Sequence, residues 1–398
     1  MSSTNYILTI WSKNCILHHM PDNKLYFPYN ILGGVAWDYA NLYSSFLEPP
    51  AEFFYMSFLT CLGNILSDKL TIDSEISPQP RFNVLLLGES ADDRKSTAIK
   101  KTVEFFGDIL SYCEGVGSAE GLQKELKDKE KLVLCFDELQ QFVGKVAIQS
   151  SVLLPCVTSL FEQNTYESHT KHKSLKLENA YLSILAASTV ETYEKIWNSN
   201  FTNIGFTNRL FLVPGSGGRK FSVPRNIPTK DKINLIDRVK AIVNKVGDRL
   251  EMKITNKAFE SYDWWYHNLE ISVHAKRLDT YALRFMPLLA INEMKTEVDE
   301  DIVDKVIELM NWQLEVRKTH DPIDADNEMA KMEEKIRRVL KTHGELTIRE
   351  LKQFTNANRT GIWFFDTAVE NLKRSNEIEY REEITLSGQY TQKWNLTK

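Results

Sequence analysis

Between residues 81 and 225, short apolar runs alternate with stretches of helical periodicity. The runs are FNVLLLG at 82–88, KLVLCFDE at 131–138, YLSILAAS at 181–188 and NRLFLVPG at 208–215. They are apolar on both faces, as strands must be when helices cover both sides of a parallel sheet. The pattern predicts an α/β unit with a central, mostly parallel sheet. Residues 1–80 read as a mainly helical segment leading into it. In EPPAEFFYMSFLTCLGNILSDKL, residues Phe53, Phe54, Phe58, Leu59 and Leu62 recur at helical spacing, and Pro49 and Pro50 suit a helix start. Residues 226–320 are again mainly helical, as in DKINLIDRVKAIVNKV and DEDIVDKVIELMNWQLEV. The polar stretch THDPIDADNE reads as a linker. Residues 328–398 then offer three helices and a terminal hairpin, EIEYREEI and YTQKWNL, in the order of a winged helix–turn–helix.

The chemistry sits where the first strand of the α/β unit meets its helix. RFNVLLLGESADDRKSTAIKKTVEFF is an apolar strand, a polar turn and a Lys-Ser-Thr helix start. Backbone N–H groups at such a turn face a polyphosphate, and the helix dipole favours its charge. In a phosphate loop running from Gly88 through Arg94 to Thr97, Lys95 reaches the β- and γ-phosphates of ATP and Ser96 ligates Mg²⁺. The match is irregular. Gly88 and Lys95 are one position further apart than usual, Arg94 replaces the glycine before the lysine, and Asp92 and Asp93 bring negative charge. An ordinary polar strand-to-helix turn is the competing reading.

The strand KLVLCFDEL, about forty residues on, shifts the balance. Asp137 suits the metal and Glu138 the attacking water, although acids at a strand end also cap helices. Ser188 and Thr189 close the next strand, where a hydroxyl orients that water. Arg209 precedes the last strand and suits a charge supplied to a neighbouring subunit's nucleotide. A surface salt bridge is its other reading. Arg277 and Arg284 lie seven apart on one helix face, either reaching the γ-phosphate from a helical lid or forming structural ion pairs.

Composition adds limits. The formal net charge is −5, so any nucleic-acid binding depends on local basic patches. The most basic short stretch of the ATPase region is YESHTKHKSLKLEN, with Lys171, Lys173 and Lys176 as candidate DNA contacts, or simply a charged loop. In the C-terminal unit Asn358, Arg359 and Thr360 would start the last helix, and Lys373 and Arg374 end it. Trp363, Phe364 and Phe365 read as core, and winged helices also contact proteins. Five scattered cysteines without C-x-x-C spacing fit a reduced, cytoplasmic setting, and no apolar run is long enough to span a bilayer.

Taken in order, these motifs resemble a family of P-loop ATPases found with primases in phages, plasmids and integrated bacterial elements. Their phosphate loops carry Arg-Lys-Gly-Thr or Arg-Lys-Ser-Thr. The resemblance covers about residues 46–295: EPPAEFFYMSFLTCLGNIL, GESADDRKST, GVGSAEGLQKEL, LVLCFDEL, GFTNRLFLV and RLDTYALRFMPLLA. It implies an AAA+-like domain, ATP and Mg²⁺ as cofactors, and work in DNA replication or maintenance of a mobile element. The chain is also distantly similar to the minichromosome maintenance and superfamily 3 ring helicases. That likeness implies a homo-oligomer, a hexameric ring among the options, acting on single-stranded or forked DNA with a primase or other replication partner. In such rings a hairpin at the position of residues 166–179 grips DNA in the pore. A helicase-like motor is the first expectation, and an ATP-dependent adaptor or loader the second.

Overall fold

The computed structural model describes residues 25–89, 93–146, 151–169, 174–197, 205–320, 328–384 and 390–397. The described residues between Phe27 and Asp324 form one compact unit, and those from Ala325 onward belong to another.

In the first unit, helices Gly34–Phe46 (α1) and Ala51–Ile65 (α2) precede strand Leu70–Ile72 (β1). Strand Val84–Gly88 (β2) runs into helix Lys95–Phe106 (α3). An edge strand, Tyr112–Glu114 (β3), and helix Ala119–Lys129 (α4) lead to strand Lys131–Phe136 (β4). Helices Leu139–Val146 (α5) and Leu153–Glu162 (α6) follow, then the antiparallel pair Tyr166–His169 (β5) and Ser174–Leu177 (β6). Strand Tyr181–Thr189 (β7), helix Val190–Lys195 (α7) and strand Phe211–Pro214 (β8) complete the sheet region.

The central sheet has the order β3-β4-β7-β2-β8, and every pairing in it is parallel. This is an α/β architecture with a parallel sheet flanked by helices. Parallel crossovers are right-handed. The connection from β2 runs one way along the sheet to β3, whereas those from β4 and β7 run the other way. The helices therefore divide between the two faces: α2 and α3 pack on one, while α5, α6 and α7 pack together on the other. Ligands of open α/β sheets bind beyond the carboxyl ends of the strands where the crossovers change face. Here that point lies between β2 and β7.

The packing follows from composition. In α2, thirteen of fifteen residues are buried, because the helix is apolar all round and lies between the sheet, α1 and α3. Its Phe58 ring meets Tyr39, Phe105 and Phe106 at centroid distances of 6.0 Å or less. At the sheet's amino edge the guanidinium of Arg81 is fully buried and donates to the carbonyls of Leu160, Leu182 and Gln163. A planar fork of donors suits carbonyls that the sheet and α6 leave unpaired. The helical segment after the sheet comprises Thr229–Val246, Asn256–Asn268, Leu278–Asn292 and Glu300–Thr319. It also contains a strand that sequence periodicity does not reveal, Leu250–Met252 (β9), which pairs in parallel with β1.

In the second unit, helix Glu328–His343 is followed by strand Leu346–Thr347 (β10) and helix Ile348–Phe354, whose start is a capping box of Thr347 and Glu350. After a short turn of helix, Ala357–Thr360, comes Ile362–Arg374, then the hairpin Ile378–Ile384 (β11) and Tyr390–Leu396 (β12). The order of this small sheet is β10-β12-β11. Ile336, Leu340, Leu351, Phe365, Leu372 and Trp394 fill its core. Two expectations are corrected here. Residues 358–360 do not start the last helix, because Gly361 at φ 119° breaks the chain between the two helical pieces. Of the three aromatics only Phe365 is core, and Trp363 is 67% exposed.

The four described cysteines, Cys61, Cys113, Cys135 and Cys156, are free thiols. Among the described residues no helix is long and apolar enough to cross a membrane.

Candidate functional site

The carboxyl ends of β2, β7 and β4 gather the residues that the sequence singles out. Gly88 ends β2 level with Thr189 of β7, and Phe136 ends β4 level with Ala186. Asp137 and Glu138 follow directly, both exposed. The strand carrying the acids is thus not the neighbour of the strand carrying the loop. β7 lies between them, and two strand spacings leave about 10 Å of sheet edge.

At the end of β2 the chain turns into α3. Arg94, in the place usually held by glycine, takes the left-handed conformation that glycine favours, φ 48° and ψ 36°. The Arg94 side chain does not cap α3, and its carbonyl accepts from the N–H groups of Thr97 and Ala98. Ser96 is exposed and Thr97 partly buried in that turn. Lys95 is buried, and its Nζ donates to the carbonyls of Gly88 at 3.0 Å and Glu89 at 2.8 Å. Burial pushes its ammonium below the ordinary lysine range, while the carboxylates of Asp93, Glu138 and Glu89 oppose that shift.

Asp93 fastens this turn to the stretch after β8, and Glu48 holds Arg94 beside it. The Asp93 carboxylate, 3% exposed, accepts from the N–H of Glu89 and from the N–H of Gly217 at 2.5 Å. Glu48 accepts from Arg94 Nε at 2.8 Å, and that hydrogen bond holds its carboxyl below the usual range, with help from the backbone N–H groups of Phe221 and Lys220. Gly215 lies so close to Phe53 that an added Cβ would stand 2.5 Å from its ring. Neither anchor is expected from motif reasoning. The glycines at 215, 217 and 218 were the available signal, since such clusters mark close backbone approach.

On β7, the Ser188 hydroxyl is buried and donates to the carbonyl of Thr189 at 3.1 Å. Thr189 is the N-cap of α7 and accepts from the N–H of Thr192 at 3.0 Å. Its hydroxyl thus has a structural task in this arrangement.

The arginines lie elsewhere. Arg209 is 7% exposed at the amino end of β8, where its carbonyl accepts from Asn83 at 3.1 Å. Its Nε donates to Glu162 Oε1 at 3.2 Å, and Arg277 pairs with the same oxygen. Arg284 is buried, donating to the carbonyls of Arg81 and Phe161 at 2.7 Å each, over the face of the Phe161 ring. All three thus lie at the edge of the sheet opposite to Gly88. Of the two readings for Arg277 and Arg284, the structural one has partners in the fold: Arg277 is ion-paired with Glu162, and Arg284 clamps two buried carbonyls.

Of the candidate DNA contacts, Lys171 and Lys173 lie outside the described residues. Lys176 on β6 is exposed but pairs with Glu178 at 2.6 Å and Glu167 at 3.7 Å, which offsets its charge. Arg359, Lys373 and Arg374 are exposed on the second unit, with Lys373 Nζ 5.0 Å from the Tyr380 ring centroid.

A separate cleft, lined by Tyr43, Lys101, Glu104, Arg225 and Lys232 among others, opens along α3 beyond its first turn and does not include Lys95. Among the described residues no three His, Cys, Asp or Glu side chains gather as a ready-made metal site. Searched against protein-family models and curated proteins, the chain matches no family and no curated sequence.

Proposed function

We propose that the chain is an AAA+-like ATPase that acts on DNA, with the turn from Gly88 to Lys95 holding the triphosphate. The observation that carries this reading is topological: Lys95 starts the helix after β2 and Glu138 follows β4, both at the carboxyl end of the sheet, on either side of the switch point between β2 and β7. Backbone N–H groups at the start of α3 would receive phosphate oxygens, and Lys95 would exchange two carbonyls for them. Ser96 and Asp137 would hold Mg²⁺, which supplies charge neutralisation on the phosphates. Glu138 would accept the proton of the attacking water, positioned near the Ser188 end of β7.

Arg209 has no role toward its own chain's loop, being at the opposite sheet edge. An arginine held there on Glu162 fits delivery to the nucleotide of a second copy, hence an oligomer. The second unit, with three helices and a hairpin, is read as a winged helix whose Arg359, Lys373 and Arg374 meet DNA. The test is ATP turnover with and without single-stranded DNA, together with sedimentation in ATP. DNA-stimulated turnover by an oligomer is expected, and turnover by a strict monomer would remove the trans role of Arg209.

A slower, switch-like ATPase that loads a partner on DNA is the second reading. The burial of the Asp93 carboxylate within the loop favours it. Such a protein would bind ATP yet show neither DNA stimulation nor strand displacement.

A further inference from the structure

We infer that Asp93 is an intramolecular competitor for the nucleotide's phosphate, and that binding ATP releases the stretch after β8 from the loop. This rests on the reading of the loop as a nucleotide site. Asp93 precedes Lys95 by two residues, and its carboxylate is almost wholly buried in the turn. One oxygen takes the N–H of Glu89, the first residue beyond β2. That oxygen lies so near Gly88 that a Cβ there would stand 2.5 Å from it, so the anion rests directly against the end of the strand. A backbone N–H at this place is the kind of donor that a phosphate oxygen takes. The carboxylate and Lys95 also lie in each other's field, so the lysine's charge is partly answered before any ligand arrives.

The other oxygen of Asp93 accepts from Gly217 at 2.5 Å. Arg94, the next residue, pairs with Glu48 at 2.8 Å, so among the described residues the hydrogen bond that joins this turn to the stretch after β8 is the one that Asp93 accepts. That stretch leads to the helix Thr229–Val246. A triphosphate and the Asp93 carboxylate carry like charge, and both cannot occupy the strand end without strong repulsion. Nucleotide entry therefore moves Asp93 off Glu89, and the Gly217 contact goes with it. The loop's occupancy is thereby transmitted to residues 215–221.

The test is equilibrium binding of ATP with Mg²⁺ to four proteins: the wild type, Asp93→Asn, Asp93→Ala and Lys95→Ala. Both Asp93 variants are expected to bind about tenfold tighter than the wild type, since a unit of like charge is removed. A merely structural role gives the opposite sign, because a damaged loop binds more weakly; the isosteric Asp93→Asn keeps the side chain's shape. In the wild type, ATP should also speed hydrogen exchange at the Gly217 amide. If the wild type binds, Lys95→Ala does not, and neither Asp93 variant gains affinity, the competitor role is overturned while the nucleotide site stands. If none of the four binds ATP, or all bind alike, the nucleotide site falls and the competitor role with it.

Discussion

Lys95 starts the helix after β2 and Glu138 follows β4, so the two stand at the same carboxyl end of the sheet although β7 separates their strands. Their placement at one end of the sheet is a product of strand order.

Glu138→Gln keeps the shape of the side chain and removes its basicity. Turnover is expected to fall by about 10²–10⁴ with ATP binding retained. Normal hydrolysis in this variant, read by phosphate release, would take the water-activating role away from Glu138.

Arg209→Ala leaves Glu162 paired with Arg277, so the fold should persist. ATP affinity is expected to stay within a few-fold, while turnover drops by about 10³ or more, as for other arginines supplied between subunits. Adding an excess of Lys95→Ala protein, which has an intact Arg209, should restore part of the activity. Full turnover by Arg209→Ala alone would make the arginine structural.

Phe58→Ala removes a fully buried ring from the junction of α1, α2 and α3. A cost of about 3–5 kcal/mol is expected from the lost burial and the cavity. The loss should appear as a lower midpoint in urea with unchanged slope.

Burial raises the Glu52 carboxyl above its ordinary value, and it accepts a 2.5 Å hydrogen bond from Tyr29. The folded chain then holds this proton more tightly than the unfolded chain. Stability from this group is greatest at acid pH and declines as pH rises from the ordinary glutamate range through the raised value, then levels off. Glu52→Gln removes that dependence. The melting temperature of the variant relative to wild type should therefore be more favourable at pH 8 than at pH 4. An equal difference at both would show that Glu52 ionises alike in the two states.

The strands β2, β4, β7 and β8 were legible because both of their faces are buried, which leaves a continuous apolar run. The edge strand β3 was not, since Tyr112 and Glu114 face solvent and break the pattern. Nothing in a sequence of parallel strands states which of them are neighbours, so the insertion of β7 had to be seen. The run Trp363-Phe364-Phe365 was misread as core. Successive helical residues point about 100° apart, and one buried face cannot take all three. The loop lysine and the acids after β4 were singled out from spacing, and the fold puts both at the carboxyl end of the sheet. Asp93 looked only like misplaced charge, because its partner Gly217 is remote in the chain and is engaged through its backbone.

The sharpest test of the nucleotide loop is titration of fluorescent ATP with Mg²⁺ into the wild type, Lys95→Ala and Glu138→Gln, with hydrolysis followed in the same samples. Saturable binding by the wild type and by Glu138→Gln, with none by Lys95→Ala and turnover by the wild type alone, is expected. Equal binding by the wild type and Lys95→Ala would contradict the assignment of the triphosphate to the end of β2.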